Sequence, residues 1–396
     1  MVSAHSTDIN MPPLRLCRIV TTPYTFVTLL PTQLQAIIEA GIDLTIVSSP
    51  GVELQTLTQT MPVRNVAISM VRQPHPLADV KSLIALVRFL RREKFDIVHS
   101  STPKAGLLTA IAGWLVGTPA RLHTYTGQVW VERQGPMRHF LRWTDWLIGR
   151  LNIHLYADSN SQRDLLIRER IVPQHKIRVI ANGSISGVDL TRFDPHRHAA
   201  SRAATRRQLH IPDSAVVIVF VGRVTKDKGI NELIEAFRNL RLRHDNIWLL
   251  LVGPFEPEND PLAMKTMTEI KSNPCIRAVG HIPQPEVYLA ASDIFCLPSY
   301  REGFGSVVIE AGAMNLPTVA TAVPGLVDAM VDGETGLLVA PKNINALVNA
   351  LEEMITSPEM RQRLGQAARA RAVSKFDSQI VNQAVVDEYF RLTRLK

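Results

Sequence analysis

The sequence has no apolar run close to the ~20 residues that a membrane-spanning helix needs. Its first ten residues also lack the charged-then-apolar order of a signal peptide. Only three cysteines occur, Cys17, Cys275 and Cys296, and their spacing is not that of metal ligands. We therefore expect a soluble or peripheral protein that stays in the cytoplasm and keeps its thiols buried.

Negative charge is scarce in the first half of the chain. Residues 1–200 contain 22 Lys and Arg against 14 Asp and Glu, whereas residues 201–396 contain 22 of each kind. The whole formal excess of +8 therefore lies in the first half. This asymmetry indicates an anionic partner for that half, which is either a membrane surface, a nucleic acid or a phosphorylated substrate.

Short apolar runs alternate with amphipathic segments along the chain, a pattern typical of parallel sheets covered by helices on both faces. The polar stretch 184–215 interrupts this alternation, with seven predicted strands before it and six after it. We expect two Rossmann-like α/β domains, residues 1–195 and 196–375, and a final helix in 376–396. Ligands of such sheets bind beyond the carboxyl ends of the strands, which predicts a site in a cleft between the domains.

The segment SYREGFGSVVIEAG places two carboxylates, Glu302 and Glu310, eight residues apart. A buried strand precedes it, and a helix with Ser306 as N-cap is expected to carry Glu310. Gly303 and Gly305 allow a sharp turn, and the helix N-terminus suits a phosphate. The carboxylates would then accept hydrogen bonds from hydroxyls, so a nucleotide-sugar fits. Alternatively, both glutamates face solvent and the glycines only form the turn.

A second loop, in VFVGRVTKDKG (219–229), follows the first strand of the second domain. Gly222 and Arg223 stand at the end of the strand, and Lys226 and Lys228 follow in the loop. An arginine at this place can clamp a phosphate with two parallel hydrogen bonds, and a lysine adds a point charge. Alternatively, this is a basic surface loop.

Together these motifs resemble the retaining glycosyltransferases of family 4, which have the GT-B fold. The match continues through YLAASDIFCLPSYREGFGSVVIEAGAMNLPTVAT and PGLVDAMVDGETGLLVAP. The resemblance implies a nucleotide-sugar donor, most commonly a UDP-sugar, and a last helix that returns to the first domain.

The resemblance also implies a role for each matching residue. Arg223 and Lys228 would bind the diphosphate, Glu310 the ribose hydroxyls and Glu302 the transferred sugar. Arg223, Lys228 and Glu302 would be the catalytic group. The residues implied in donor binding are Gly222, Arg223, Lys228, Glu302, Gly303, Phe304, Gly305, Ser306 and Glu310.

The first domain is similar to a bacterial subgroup that makes capsular polysaccharide, O-antigen or protein-linked glycans. The family's TxHG histidine is absent, since Thr126 stands at that place in TYTG. His123 is expected to face away from Thr126 and to be structural, because side chains three apart on a strand point to opposite faces. The residues expected on the acceptor side are Tyr24, His99, Lys104, Thr126 and Gly127.

No D-x-D motif occurs, the motif that holds a divalent metal in the other main glycosyltransferase fold. We therefore expect transfer without a metal or another cofactor. The resemblance implies retention and a glycan or polyprenyl-diphosphate-linked acceptor. Basic and aromatic residues mix at helical spacing in 131–150, which suits docking at the inner face of the cytoplasmic membrane. Alternatively, the tryptophans of this helix, Trp143 and Trp146, pack into the core.

Two other functions compete with transfer. A nucleotide-sugar epimerase of the same fold would interconvert the sugar of the donor and need no acceptor. A nucleic-acid-binding protein would fit the basic first half, but no helix-turn-helix, finger or RNP signature is present.

Overall fold

The computed structural model describes residues 12–258 and 260–394. In this part of the chain, strands and helices alternate and form two sheets, of seven and six strands. The strands of the first sheet are β1 (Arg15–Ile19), β2 (Asp43–Ser48), β3 (Arg64–Ala67), β4 (Ile97–Ser100), β5 (Ala120–Tyr125), β6 (His154–Ala157) and β7 (Ile177–Arg178). Those of the second sheet are β8 (Val216–Val221), β9 (Ile247–Val252), β10 (Ile276–Gly280), β11 (Ile294–Leu297), β12 (Thr318–Thr321) and β13 (Gly336–Val339).

Helices connect these strands. Those up to residue 208 are α1 (Tyr24–Thr28), α2 (Pro31–Glu39), α3 (Val52–Thr60), α4 (Pro76–Glu93), α5 (Pro103–Val116), α6 (Gly135–Leu151), α7 (Asn160–Arg168) and α8 (Ala199–Gln208). The later ones are α9 (Ile230–Arg241), α10 (Met264–Ser272), α11 (Pro285–Ala290), α12 (Ser306–Ala313), α13 (Leu326–Ala329), α14 (Ile344–Thr356), α15 (Pro358–Phe376) and α16 (Ser378–Thr393).

Both sheets reverse their strand order at the centre. The orders are β3-β2-β1-β4-β5-β6-β7 and β10-β9-β8-β11-β12-β13. The central pairs, β1 with β4 and β8 with β11, run parallel. Successive connections therefore leave the sheet in opposite directions at these pairs, which opens a crevice at their carboxyl ends. The predicted fold class, two Rossmann-like parallel sheets, is confirmed.

The chain divides into two compact units, each with its own hydrophobic core. Of the described residues, the first unit contains 12–124, Thr144–Leu155 and 385–394, and the second contains Tyr125–Trp143 and Tyr156–Ala384. Helices α4 and α5 cover one core around Cys17 and Val98, and α9, α12 and α14 cover the other. The domain boundaries predicted at 195 and 375 both fall inside the segment Tyr156–Ala384, which belongs to the second unit.

The stretch 184–215, which the sequence pattern leaves irregular, contains helix α8. Its sequence AASRAATRRQ consists mainly of good helix formers but carries little apolar periodicity. Tertiary bonds fix it: Arg206, 1% exposed, donates to the Ala291 carbonyl at 2.9 Å and lies 2.7 Å from Asp293 Oδ2. Helices α1 and α13 have five and four residues, too few for a helical period to show in the sequence.

Candidate active site

Two loops meet where the order of the second sheet reverses. Strands β8 and β11 are parallel neighbours, with Ile218 paired to Ile294. The loop after β8 carries Arg223 and Lys228, and the loop after β11 carries Glu302. Because the carboxyl ends of neighbouring parallel strands lie at one edge of a sheet, the fold brings these predicted donor-binding residues together.

Lys228 and Glu302 form an ion pair at this edge. Lys228 Nζ lies 2.5 Å from Glu302 Oε1, and Ser299 Oγ donates to the same oxygen at 2.8 Å. Both charged side chains are mostly buried, at 16% and 14% exposure. The residues predicted to bind the diphosphate and the transferred sugar are thus adjacent in space.

Arg223 is held by two carboxylates. Its Nη2 lies 3.1 Å from Asp227 Oδ2, and its Nη1 lies 3.2 Å from Glu256 Oε2. Burial alone would lower the pKa of Arg223, but the negative charges of Asp227 and Glu256 outweigh it and raise that pKa. Gly222, just before it, donates to the Val252 carbonyl at 2.9 Å and so continues the pairing of β8 with β9.

The predictions miss Arg301 and Asp227, although both lie within the quoted motifs. Arg301 Nη2 lies 3.0 Å from Asp227 Oδ2, the oxygen that also contacts Arg223. The backbone N–H of Tyr300 donates to the Asp227 carbonyl at 2.9 Å. A signal was present in the sequence, since Arg301 directly precedes Glu302. Its partner comes from another loop, however, and only the fold shows the pairing.

The N-terminus of α12 lies just after Glu302. Gly305 is its N-cap, with φ +85°, and Ser306 is its first helical residue, so the prediction of Ser306 as the cap is wrong by one position. Glycine is required because its φ is left-handed and a Cβ there would collide with the Leu326 side chain. The helix start nevertheless lies where the donor phosphates are predicted.

Phe304 contributes its ring to the core of the second unit. The ring is 2% exposed and packs edge-on against Phe376, with centroids 5.1 Å apart. Its ring is therefore not available to a ligand, and a role of Phe304 in donor binding would fall to its backbone.

Glu310 lies one turn inside α12 and is partly buried. Burial raises its pKa to about 7, although the charge of Arg192 acts to lower it and that of Glu286 adds to the rise. Arg192 lies 2.8 Å from Glu286 Oε2 and donates to the Pro283 carbonyl at 2.7 Å. A hydroxyl that donates to the Glu310 carboxylate would stabilise its ionised form.

The TYTG segment lies against the Glu302 loop. A Cβ on Gly303 would come 2.5 Å from the Thr126 carbonyl oxygen, and a Cβ on Gly127 would come 3.3 Å from the Gly303 nitrogen. Ser159 Oγ donates to the Gly303 carbonyl at 2.8 Å. Thr126 and Gly127, predicted on the acceptor side, are therefore beside the predicted sugar-binding residue.

His99 is enclosed in the first unit. It is 2% exposed, its Nδ1 lies 2.7 Å from the Tyr389 hydroxyl, and its Nε2 lies 2.8 Å from Thr124 Oγ1. Burial, and then the nearby charge of Arg18, holds the pKa of His99 well below its usual range. This arrangement favours a structural role over the acceptor-side role predicted for His99.

Lys104 and Tyr24 are the other residues of the first unit that were predicted on the acceptor side. Lys104 Nζ is 2.7 Å from Asp79 Oδ1 and donates to the Gln73 carbonyl at 2.6 Å. Tyr24, in α1, is 47% exposed. His123 is buried and lies 2.9 Å from Ser100 Oγ, as expected for a structural residue.

The aromatic side chains of α6 are not in the core. Phe140, Trp143 and Trp146 are between 44% and 52% exposed, and the residues that α6 buries are Asp145, Ile148 and Gly149. The core alternative for the two tryptophans is therefore wrong. No helix in residues 12–258 and 260–394 is long and apolar enough to cross a bilayer.

Two family models match the chain, one in each half. Residues 201–371 match the model described as "Glycosyl transferases group 1", and residues 32–183 match "Glycosyl transferase 4-like domain". The chain is also 30% identical to the capsular polysaccharide biosynthesis glycosyltransferase CapM of Staphylococcus aureus, over 92% of this chain and 93% of CapM.

The chain belongs to the group 1 glycosyltransferases. This confirms the resemblance to family 4. A second relative, 28% identical over 76% of each chain, is the Escherichia coli UDP-Gal:alpha-D-GlcNAc-diphosphoundecaprenol alpha-1,3-galactosyltransferase. Among solved structures, Anabaena HepE in complex with UDP and glucose has a TM-score of 0.79 at 19% identity, over 96% of this chain and 100% of HepE, which supports the GT-B fold.

Proposed function

We propose that this glycosyltransferase moves a sugar from a nucleotide-sugar, first tested as a UDP-sugar, to a lipid-linked or polysaccharide acceptor in bacterial surface-glycan synthesis. The observation that carries the proposal is the meeting of Arg223, Lys228 and Glu302 at the β8–β11 edge, beside the start of α12. The names of the two relatives, in capsule synthesis and on a diphosphoundecaprenol-linked sugar, support the acceptor class.

The donor would bind by replacing internal ion pairs. Its diphosphate would take Arg223 from Asp227 and Lys228 from Glu302, and would lie near the N-terminus of α12. Glu302, once released, would accept hydrogen bonds from the transferred sugar. Glu310 would do the same for the ribose hydroxyls.

Transfer would proceed with retention and without a metal. Arg223, Lys228 and the amide dipoles of α12 would stabilise the charge that develops on the leaving diphosphate. The acceptor hydroxyl would attack from the face that the nucleotide leaves. These two properties belong to the proposal and rest on the family resemblance and on this set of positive groups.

The test starts with thermal shift against UDP-, GDP-, dTDP- and CDP-sugars, followed by transfer to a lipid-linked acceptor with and without EDTA. We expect a stabilising nucleotide-sugar, EDTA-resistant transfer and a product of unchanged anomeric configuration by NMR. Loss of activity in EDTA would refute metal independence, and an inverted product would refute retention.

The same assay separates transfer from epimerisation. Incubated with the donor and no acceptor, a transferase leaves the sugar intact or hydrolyses it slowly. An epimerase would equilibrate it with its epimer, and detection of that epimer would replace the proposal.

The exposed aromatic face of α6 supports docking on an anionic membrane. Phe140, Trp143 and Trp146 are exposed on a helix that also carries Arg150, an exposed basic residue, whereas Arg138 and Arg142 lie near Glu169. Amphipathic aromatic side chains of this kind favour the bilayer interface, and basic ones favour anionic lipid.

Flotation with anionic and neutral liposomes, at low and high salt, tests this docking. We expect recovery on anionic liposomes at low salt, and its loss in Trp143→Ala/Trp146→Ala. The control is Met264→Ala, which removes an apolar side chain that is 85% exposed in α10. Equal recovery of wild type and double variant under all conditions would refute the docking role of α6.

A further inference from the structure

Two guanidinium groups in the candidate site share one carboxylate oxygen. Arg223 Nη2 and Arg301 Nη2 lie 3.1 and 3.0 Å from Asp227 Oδ2, and are therefore at most roughly 6 Å from each other. The single negative charge of Asp227 therefore interacts with two guanidinium groups. Arg223 also contacts a second carboxylate, since its Nη1 lies 3.2 Å from Glu256 Oε2.

Asp227 is fixed from several sides. Thr225 Oγ1 donates to its Oδ1 at 2.6 Å, its own N–H donates to Asp260 Oδ2 at 2.6 Å, and its carbonyl accepts from Tyr300 N at 2.9 Å. Burial would raise its pKa, but the Thr225 hydrogen bond and the charges of Arg223, Arg301 and Lys228 lower it overall. Asp227 therefore stays ionised and in place when a ligand arrives.

A fixed Asp227 poses an electrostatic problem for a donor diphosphate. When Arg223 turns from Asp227 to the phosphates, an uncompensated carboxylate would remain a few ångströms from a group of the same charge. In a partly buried site such repulsion is strong, because the effective dielectric constant is well below that of water. A second cation on Asp227 removes the problem.

We propose that Arg301 is a positioning residue that stays on Asp227 and neutralises it, so that Arg223 can transfer to the donor diphosphate. The inference rests on the proposed function, since it assumes that Arg223 binds the diphosphate. It adds a residue that the donor-binding motif does not assign. Arg301 reaches Asp227 because Tyr300 N–H holds its loop to the Asp227 carbonyl.

The competing arrangement is a direct bond from Arg301 to the phosphates. The two differ in how Arg301 depends on Asp227. A neutralising Arg301 matters only while Asp227 is charged, whereas a phosphate-binding Arg301 matters with or without it. A double-mutant cycle measures this dependence.

The experiment is calorimetric titration of UDP, or of whichever nucleoside diphosphate binds the wild type most tightly, into Arg301→Gln, Asp227→Asn and the double variant. In the wild-type background we expect Arg301→Gln to weaken binding about tenfold, the equivalent of one moderately strong charge pair. In the Asp227→Asn background the same change should weaken it less than twofold. Arg301→Lys should recover part of the loss, and the donor KM should rise more than kcat falls.

Lys226→Gln is the matched control, because Lys226 is exposed and its loss removes one positive charge from the same loop. We expect it to bind UDP like the wild type. Melting temperatures of all variants establish that each is folded.

The outcomes separate the two proposals. A wild type that binds none of the four nucleoside diphosphates would overturn the proposed function, and this inference with it. If the wild type binds, three results overturn the inference alone: an equal loss for Arg301→Gln in both backgrounds, no loss in either, or the same loss in Lys226→Gln.

Discussion

Two clusters of polar side chains lie at the central strand pairs of the two sheets. They differ in burial and in the groups with which they pair. In the second sheet, Arg223 and Lys228 follow β8 and pair with carboxylates while remaining partly exposed, at 28% and 16%. In the first sheet, Arg18 lies on β1 and His99 on β4, at 1% and 2% exposure, with Tyr389 against them.

The difference follows from where each residue stands relative to the end of its strand. Arg18 and His99 are paired within the strands, one on each side of the central β1–β4 contact, so a helix can cover their side chains. Arg223 stands two residues beyond β8, in a loop at the sheet edge. Equivalent strands of a doubly wound sheet can therefore carry a structural cluster within their length and the proposed binding cluster past their ends.

The largest effect that tests this comparison is expected for Arg223→Ala. Removal of a group that stabilises developing charge typically lowers kcat by ~10²-fold. Stability should change less than turnover, since Arg223 is 28% exposed and Asp227 keeps Arg301 as a partner. Transfer assays and urea denaturation measure the two quantities. Near-normal turnover would reject the phosphate role of Arg223, and Glu302→Gln, with a similar expected loss, gives an independent check.

The opposite pattern is expected for His99→Ala. The change removes hydrogen bonds to Tyr389 and Thr124 in a buried site, which should lower the free energy of unfolding by ~2 kcal/mol. Turnover of the folded enzyme should fall much less than in Arg223→Ala. The control is His175→Ala, at an exposed histidine. If His99→Ala had normal stability but no turnover, His99 would be assigned to the acceptor site and the two clusters would not differ in role.

A smaller effect is expected from the titration of Glu310. Its pKa of about 7 lies above the ordinary value, so the carboxyl group is largely protonated at pH 6 and ionised at pH 8. Because the proposed role of Glu310 is to accept the ribose hydroxyls in its ionised form, affinity for UDP-glucose should rise up to about tenfold from pH 6 to pH 8 and then level off. A pyrophosphate diester is a suitable probe because it has no secondary phosphate ionisation in this range.

Glu310→Gln should bind more weakly and lose this pH dependence. Calorimetric titration of UDP-glucose into the wild type and into Glu310→Gln, at pH 6, 7 and 8, measures both the affinity and its pH dependence. An unchanged pH profile in Glu310→Gln would assign the titration to another group and remove Glu310 from the ribose site.

Much of the site is readable from the sequence because its residues follow strand ends in motifs. Arg223, Lys228 and Glu302 are predicted as one group, and the structure places Lys228 and Glu302 in contact. Arg301 escapes prediction because its partner, Asp227, lies 74 residues away in the chain. His99 shows the converse, since a histidine in the last residues of a strand looks the same in sequence whether or not a helix covers it.

The sequence alone determined the alternation of strands and helices, because apolar periodicity reports which faces of each element are buried. It also determined the glycosyltransferase motifs, since their glycines and charged residues stand at fixed distances from strand ends. The tertiary structure alone decided which cation meets which carboxylate, that α8 is a helix, and that His99 is enclosed while Trp143 and Trp146 are exposed. The physical reason is that ion pairing and burial depend on distances through space between segments far apart in the chain.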